Sequence, residues 1–279
     1  MMDDATETDA PGDAYELNAA TVDGILAAVE LGARERLVEL LEPLHEADIA
    51  DLLEQIPTED RHKLLDVWGA DLDGAFLSEL EEGVRDDIVA YLDDKVLAEA
   101  VSEMETDDVV YLVEDLEEDQ QERVLEALDD ADRVAVEASL QYEEGTAGRL
   151  MSREMVLAPA HWNVGEAIDY MRAHDDLPDN FYKVILVDPR MKVAGTVPLG
   201  KIMSHPRTVP LEVLADKEPR LIPVDQTYAD VAYAFNQYHM ISAPVVDGDE
   251  RVVGVITMDD AMDVLEDEAE EDMNFISSS

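Results

Sequence analysis

The 279-residue chain contains no cysteine and only 19 basic residues against 69 acidic ones. Without cysteine it cannot form disulfides, thiolate metal sites, iron–sulfur clusters or a cysteine nucleophile. With so few Lys and Arg it lacks the clustered positive charge that binds nucleic acid or an anionic membrane surface, so we expect no nucleic-acid partner. No apolar run approaches the roughly 18–20 residues of a membrane span, and the first residues lack a signal-peptide pattern. We therefore expect a soluble, intracellular chain.

The acidic residues are unevenly distributed along the chain. Residues 1–150 carry 45 acidic and 9 basic side chains, and 9 further carboxylates lie within Asp259–Asp272. The stretch 151–258, with 15 acidic and 10 basic residues, is close to an ordinary balance. One interpretation is adaptation to high salt, although such a chain should be acidic throughout. The other is that two acidic surfaces repel each other until cations bind between them.

Residues 17–140 have the apolar spacing of short amphipathic helices, with a repeat of about 12 residues. Helices of that length cannot bury their apolar stripes alone, which predicts a stacked, superhelical array. Thr58 and Thr106 are predicted to cap two of the helices, and residues 1–16 are predicted to be a disordered acidic tail. The repeated sets are Ile49-Leu52-Leu53-Ile56, Leu97-Ala100-Val101-Met104 and Val109-Leu112-Val113-Leu116.

Residues 151–266 read as a tandem α/β module. A helical pattern at 164–171 precedes strand patterns at 183–188 and 193–198. The same order returns with a helix at 228–235 and strands at 243–247 and 252–257.

The second copy carries a specific motif. Val245-Val246-Asp247 followed by the run Gly254–Asp260 resembles the CBS domain, whose pairs often bind an adenine nucleotide in the cleft between copies. The resemblance implies nucleotide contacts from Thr257 and Asp260. The first copy departs from this motif, with Pro198 and Lys201 at the corresponding positions, and the run at 254–260 is equally typical of a strand that ends in a helix cap.

The order of the segments carries a wider resemblance. The acidic helical repeat, the junction Tyr142–Met151, the two CBS copies and the acidic run Asp263–Asp272 together resemble the cytosolic part of the MgtE family of magnesium channels and transporters. The implied fold class is α + α/β: an all-α superhelical N domain, then a tandem β-α-β-β-α CBS pair and the start of a connecting helix. The predicted limits are 1–16 for the tail, 17–140 for the N domain, 141–207 and 208–266 for the CBS copies, and 267–279 for the connecting (plug) helix.

This resemblance implies a Mg²⁺ sensor with no enzymatic activity. Mg²⁺ would bridge carboxylates of the N domain, the CBS domains and the connecting helix, and thereby favour a compact state that closes the pore. The implied partners are a second copy, bound through the CBS domains, and a transmembrane pore domain of the same full-length protein. The chain would then lie on the cytoplasmic side of the cell membrane, as a fragment of a longer protein.

The resemblance also implies the ligands. Tyr111 and His239 stand where the family has further aspartates, so some family ion sites are expected to be absent or moved. The alternative function is a stand-alone CBS sensor of adenine nucleotides with a helical interaction domain. The implied Mg²⁺ ligands are Asp107, Asp108, Asp230, Asp260, Asp263, Glu268, Glu271 and Asp272.

Overall fold

The computed structural model describes residues 17–264, apart from residues 70, 71, 73, 103, 115, 175, 176 and 179. The described residues divide into two compact units. The first comprises the described chain up to Met104 together with Leu112–Asp129, and the second comprises Glu105–Tyr111 and the described chain from Asp130 onward. The boundary therefore falls inside one helix, Thr106–Glu114, which we call α7.

The first unit consists of short helices, as the sequence predicts. Each is two to four turns long, which is too short to be stable without packing against its neighbours. A 3₁₀ helix at Gly74–Leu77 lies between α4 and α5. The bounds are α1 Ala19–Glu30, α2 Arg34–Leu41, α3 Glu46–Gln55, α4 Thr58–Trp68, α5 Glu82–Tyr91, α6 Asp94–Val101, the shared α7 Thr106–Glu114 and α8 Glu118–Ala127.

The predicted apolar repeat is confirmed. All members of the three repeated sets are buried except Met104, which is half-buried. Polar side chains then connect successive helices: Arg61 Nε donates to the carbonyl of Leu53, and Gln121 Nε2 donates to the carbonyl of Leu116. In both cases a long side chain near the start of one helix donates to a carbonyl at, or just after, the end of the preceding helix.

The predicted helix caps are wrong by one position. Thr58 is the first residue of α4, and the capping position belongs to Pro57, which forms no side-chain cap. Thr106 likewise begins α7, since the Glu105 carbonyl accepts the first helical hydrogen bond, from Val109 N at 3.1 Å. The Thr106 hydroxyl donates to the carboxylate of Glu154.

The second unit contains the same α/β pattern twice. In each copy a short first strand pairs parallel with the second, which pairs antiparallel with the third. This repetition confirms the fold class. The elements are α9 Asp130–Ser139, α10 Ala147–Leu150, β1 Leu157–Pro159, α11 Val164–Ala173, β2 Lys183–Val187, β3 Val193–Pro198, α12 Leu199–Ser204, α13 Leu211–Leu214, β4 Ile222–Pro223, α14 Tyr228–Tyr238, β5 Ser242–Val246, β6 Val252–Thr257 and a helical segment at 258–264.

Each copy has its own core, and the junction before the first copy packs into the core of the second. Ala147 and Met151 are buried with Phe235 and Ile256. Gly148 is required by this packing, because a Cβ there would lie 2.5 Å from the ring of Tyr142. The sequence-based domain limits stay a prediction.

Candidate metal centre

Three carboxylates of the second unit lie close together. Glu105, Asp107 and Glu154 each offer an oxygen, and these oxygens all lie within 4.8 Å of one another. All three side chains are half-buried. We call these three residues together with Asp260 the carboxylate cluster.

Glu154 is brought to the cluster by a short extended segment. The backbone of Ser152 pairs with Val255 in β6 through two hydrogen bonds of 2.9 Å, one in each direction. Two residues later the Glu154 carboxylate accepts hydrogen bonds from Thr106, from Oγ1 at 2.6 Å and from the backbone N at 3.3 Å. The first turn of α7 is therefore bound directly to this segment.

Asp260 lies in the helical segment that directly follows β6. Its Oδ2 accepts hydrogen bonds from both the backbone N and Oγ1 of Thr257, each 2.7 Å long. These bonds cap the helical segment 258–264, as one sequence interpretation predicted for these residues. Asp260 lies close enough to Asp107 for its charge to be, after burial, the largest cause of the raised pKa of Asp107. The structure thus brings together two of the carboxylates that the family resemblance names as ligands.

Burial and like charges raise the pKa values of Glu105, Asp107 and Asp260. Desolvation, followed by repulsion from Glu154 and Asp260, raises the pKa of Glu105 to about 7. Burial and the neighbouring charge of Asp260 hold the pKa of Asp107 well above its ordinary value. Burial also raises the pKa of Asp260, although its hydrogen bonds from Thr257 oppose the shift. Near neutral pH the cluster therefore favours the binding of positive charge, and protons and cations compete for it.

The donor set fits a hard divalent cation. Asp107 Oδ1 is buried and has no hydrogen-bond partner, so one lone-pair site of the cluster is unsatisfied. Mg²⁺ prefers oxygen ligands and retains several waters, so one or two carboxylates suffice to hold it. Glu105, Asp107, Glu154 and Asp260 are the side chains that would hold such an ion, and the ion would neutralise their mutual repulsion.

The remaining predicted ligands are not part of this cluster. Asp108 is half-buried next to Asp107 and adds to the charge that raises its pKa. Asp263 is exposed, one turn beyond Asp260. Asp230 is exposed on α14 and lines a separate open cavity. Glu268, Glu271 and Asp272 lie outside the described residues.

Sequence reasoning missed Glu105 and Glu154. Glu105 lies in the polar break before α7 and looked like an ordinary part of it. Glu154 lies in the near-neutral block, outside any helix or strand. Only the pairing of Ser152 with Val255 brings Glu154 to α7, and no local pattern in the sequence encodes that pairing.

The predicted nucleotide cleft is nearly closed. Thr257 lines it together with Lys183 and Ser242, and Lys183 Nζ crosses it to donate to the Ser242 carbonyl at 3.0 Å. Its free volume is about 30 Å³, which is the volume of about one water molecule. Pockets for ligands of nucleotide size measure about 300–1,000 Å³. As it stands, the cleft beside Thr257 is smaller than such pockets.

Comparison with known proteins matches two segments of the chain to family models. The model of the family described as "MgtE intracellular N domain" matches residues 44–145, and that of the CBS domain matches residues 212–267. Among curated relatives, the magnesium transporter MgtE of Thermus thermophilus is 29% identical over 88% of this chain and 56% of its own length. The MgtE of Bacillus subtilis is 23% identical over 86% of this chain and 53% of its length. The chain thus spans about half the length of these relatives.

Solved structures agree on the fold. The soluble part of a magnesium transporter superposes with a TM-score of 0.79 at 23% identity, covering 90% of this chain and 98% of that one. The cytosolic domain of the Mg²⁺ channel MgtE, solved in complex with ATP, superposes with a TM-score of 0.80 at 25% identity, covering 87% of this chain and 99% of that one. The chain therefore resembles the cytosolic domain of MgtE in fold and in the order of its segments, with a helical region that matches the MgtE N domain model followed by a pair of CBS-like α/β copies.

Proposed function

We propose that the chain is the Mg²⁺-sensing, non-enzymatic regulatory part of a magnesium channel or transporter, lying on the cytoplasmic side of the membrane. The observation that carries this proposal is the carboxylate cluster. It combines carboxylate oxygens within 4.8 Å of one another, a buried Asp107 oxygen that has no hydrogen-bond partner among the described residues, and the nearby charge of Asp260. The relatives named as magnesium transporters support the same role, and the chain spans about half of their length.

The physical basis is a balance between repulsion and cation binding. Two carboxylates about 5 Å apart repel by roughly 0.8 kcal/mol in water, and by about 3 kcal/mol at the effective dielectric constant of a protein surface. A Mg²⁺ ion that binds all of them in one arrangement reverses the sign of this energy. Because the ion binds the assembled cluster more tightly than the separated carboxylates, rising Mg²⁺ increases the population of the assembled state.

The first turn of α7 belongs to the region that matches the MgtE N domain, whereas Glu154 and Asp260 flank CBS elements. An ion at the cluster would therefore bridge the N-domain sequence to the CBS pair, which is the compact, pore-closed state in this proposal. Asp108 and Asp263 are proposed as additional ligands at the edge of the cluster. Asp230, Glu268, Glu271 and Asp272 are proposed as ligands of separate ions.

The proposed partners are a second copy of the chain and a transmembrane pore domain. Among the described residues, no helix is both long and apolar enough to cross a membrane. For the second copy, α14 offers two exposed tyrosines, Tyr233 and Tyr238, which are 64% and 47% exposed, and Ile241 just after the helix is 49% exposed. The adjacent open cavity has a volume of about 510 Å³, and a partner surface would fill it.

Small-angle scattering tests the proposal. We expect the radius of gyration of the chain to fall in about 10 mM Mg²⁺, and to stay unchanged in NaCl of matched ionic strength. An equal response to NaCl would assign the acidity to salt adaptation. Binding of ATP without any response to Mg²⁺, measured by calorimetry on the same sample, would favour the nucleotide sensor instead.

A further inference from the structure

We propose that Glu154 is a positioning residue, which holds the first turn of α7 so that Asp107 meets Asp260. The proposal rests on the Mg²⁺-sensing function proposed above and deepens it, because it names the contact that assembles the ion site. The contact is the pair of hydrogen bonds from Thr106 to the Glu154 carboxylate. We call this pair the Thr106–Glu154 latch.

The latch is buried and well formed. Thr106 and Ser152 are 5% and 1% exposed, and both donate to the Glu154 carboxylate. Thr106 Oγ1 lies 2.6 Å from Oε1, and the Ser152 hydroxyl lies 2.7 Å from Oε2. Hydrogen bonds to an ionised acceptor that are this short are among the strong ones in proteins.

The start of α7 depends on this distant carboxylate. Some helices are capped by the residue before their first turn: Asp93 caps α6, and Thr227 caps α14. At α7 that residue is Glu105, whose own carboxylate lies 3.3 Å from the Ser152 hydroxyl. The first backbone N–H of α7 is instead satisfied by Glu154, where the helix dipole also favours a negative charge.

A continuous set of contacts therefore links the two aspartates. Thr106 precedes Asp107 in α7, and Glu154 follows Ser152, which pairs with Val255 in β6. The same strand ends at Thr257, which binds Asp260 through two hydrogen bonds. If Thr106 is released from Glu154, the shortest hydrogen bond between α7 and the segment that carries Glu154 is lost, and the longer bond from Ser152 to Glu105 remains.

The test compares threonine variants of the full chain. Thr106→Val removes the hydroxyl at nearly constant volume and leaves every carboxylate in place, whereas Thr106→Ser keeps the hydroxyl. Thr58→Val is the matched control, since Thr58 begins α4 in the same sequence context of two following acidic residues but is exposed. Two quantities are measured: hydrogen exchange of the first α7 amides without Mg²⁺, and the Mg²⁺ midpoint of calorimetric binding at constant ionic strength.

We expect Thr106→Val to speed exchange of the α7 amides and to raise the Mg²⁺ midpoint about tenfold, the factor for one hydrogen bond to a charged group. Thr106→Ser should restore both values, and Thr58→Val should change neither. Faster exchange with an unchanged midpoint would overturn the positioning role and leave a purely structural contact. Unchanged exchange would overturn the latch itself. A wild-type chain that binds no Mg²⁺ would refute the sensor, while its exchange data would still report on the latch.

Discussion

The charge of Asp260 is, after burial, the largest cause of the raised pKa of Asp107. Burial is likewise the main cause of the raised pKa of Asp260. Two buried carboxylates that interact this strongly do not both stay ionised without a compensating positive charge. The pair is therefore stable either with a proton or with a cation between its oxygens. This relationship links the predicted effects of mutation, pH and metal.

Removing carboxylates from the CBS side of the cluster should weaken the response to Mg²⁺. We expect Asp260→Ala combined with Asp263→Ala to raise by about tenfold or more the Mg²⁺ concentration that protects residues 105–111 from protease. The matched control is Glu212→Ala with Asp225→Ala, which removes two exposed carboxylates of the same unit. If the two double variants behave alike, Asp260 and Asp263 take no part in binding the ion.

Mg²⁺ binding should strengthen as the pH rises through about 7, the pKa of Glu105. Because this pKa is raised in the folded state, the stability gained from the bound proton is full below about 4.5 and is lost as the pH rises through about 7. Mg²⁺ must displace that proton below pH 7, which costs up to about tenfold in affinity per pH unit for one proton.

Calorimetric titrations between about pH 5.5 and pH 8 at fixed ionic strength measure this dependence. Glu105→Gln should flatten it. Glu250→Gln is the control, because a hydrogen bond from Lys192 lowers the pKa of Glu250 and keeps it ionised throughout this range. A slope that survives Glu105→Gln would assign the competing proton to another group of the cluster.

Gly254 should be essential for the position of Ser152. A Cβ at Gly254 would lie 2.6 Å from the Ser152 carbonyl oxygen and 2.7 Å from the Met151 sulfur. Gly254→Ala must therefore displace the segment that carries Glu154, and we expect it to destabilise the fold by about 1–3 kcal/mol in urea denaturation and to raise the Mg²⁺ midpoint.

Gly200→Ala is the control for that variant. Gly200 lies in α12, and a Cβ there would have no atom within 4 Å. This change should leave stability unchanged or raise it by up to about 1 kcal/mol, since Ala is the better helix former. Equal urea midpoints for the two variants would mean that the contact between Gly254 and Ser152 tolerates the extra methyl group.

Much of the fold could be predicted from local patterns. The apolar spacing identified the buried residues of α3, α6 and α7, and the alternation of helix and strand identified both CBS copies. These signals are local because each short helix or strand shows one apolar face in its own sequence. The error in placing the cap of α7 has a non-local cause, because the partner of Thr106 is Glu154, which is distant in sequence.

The site was predictable only in part. Asp107 and Asp260 were identified by resemblance to a family and are brought together by the fold. Glu105 and Glu154 were missed, because their importance depends on burial and on the pairing of Ser152 with Val255. A carboxylate in an exposed acidic run and one at a buried site look the same in a sequence.

The most direct test of the account is a calorimetric Mg²⁺ titration of the wild-type chain and of Asp107→Asn combined with Asp260→Asn. Both substitutions keep the side-chain shape and an acceptor for Thr257, so the fold should be retained, and circular dichroism checks this. The account predicts millimolar Mg²⁺ binding to the wild type that the double variant loses, with no comparable heat from NaCl of matched ionic strength. Equal Mg²⁺ binding by both chains would contradict it.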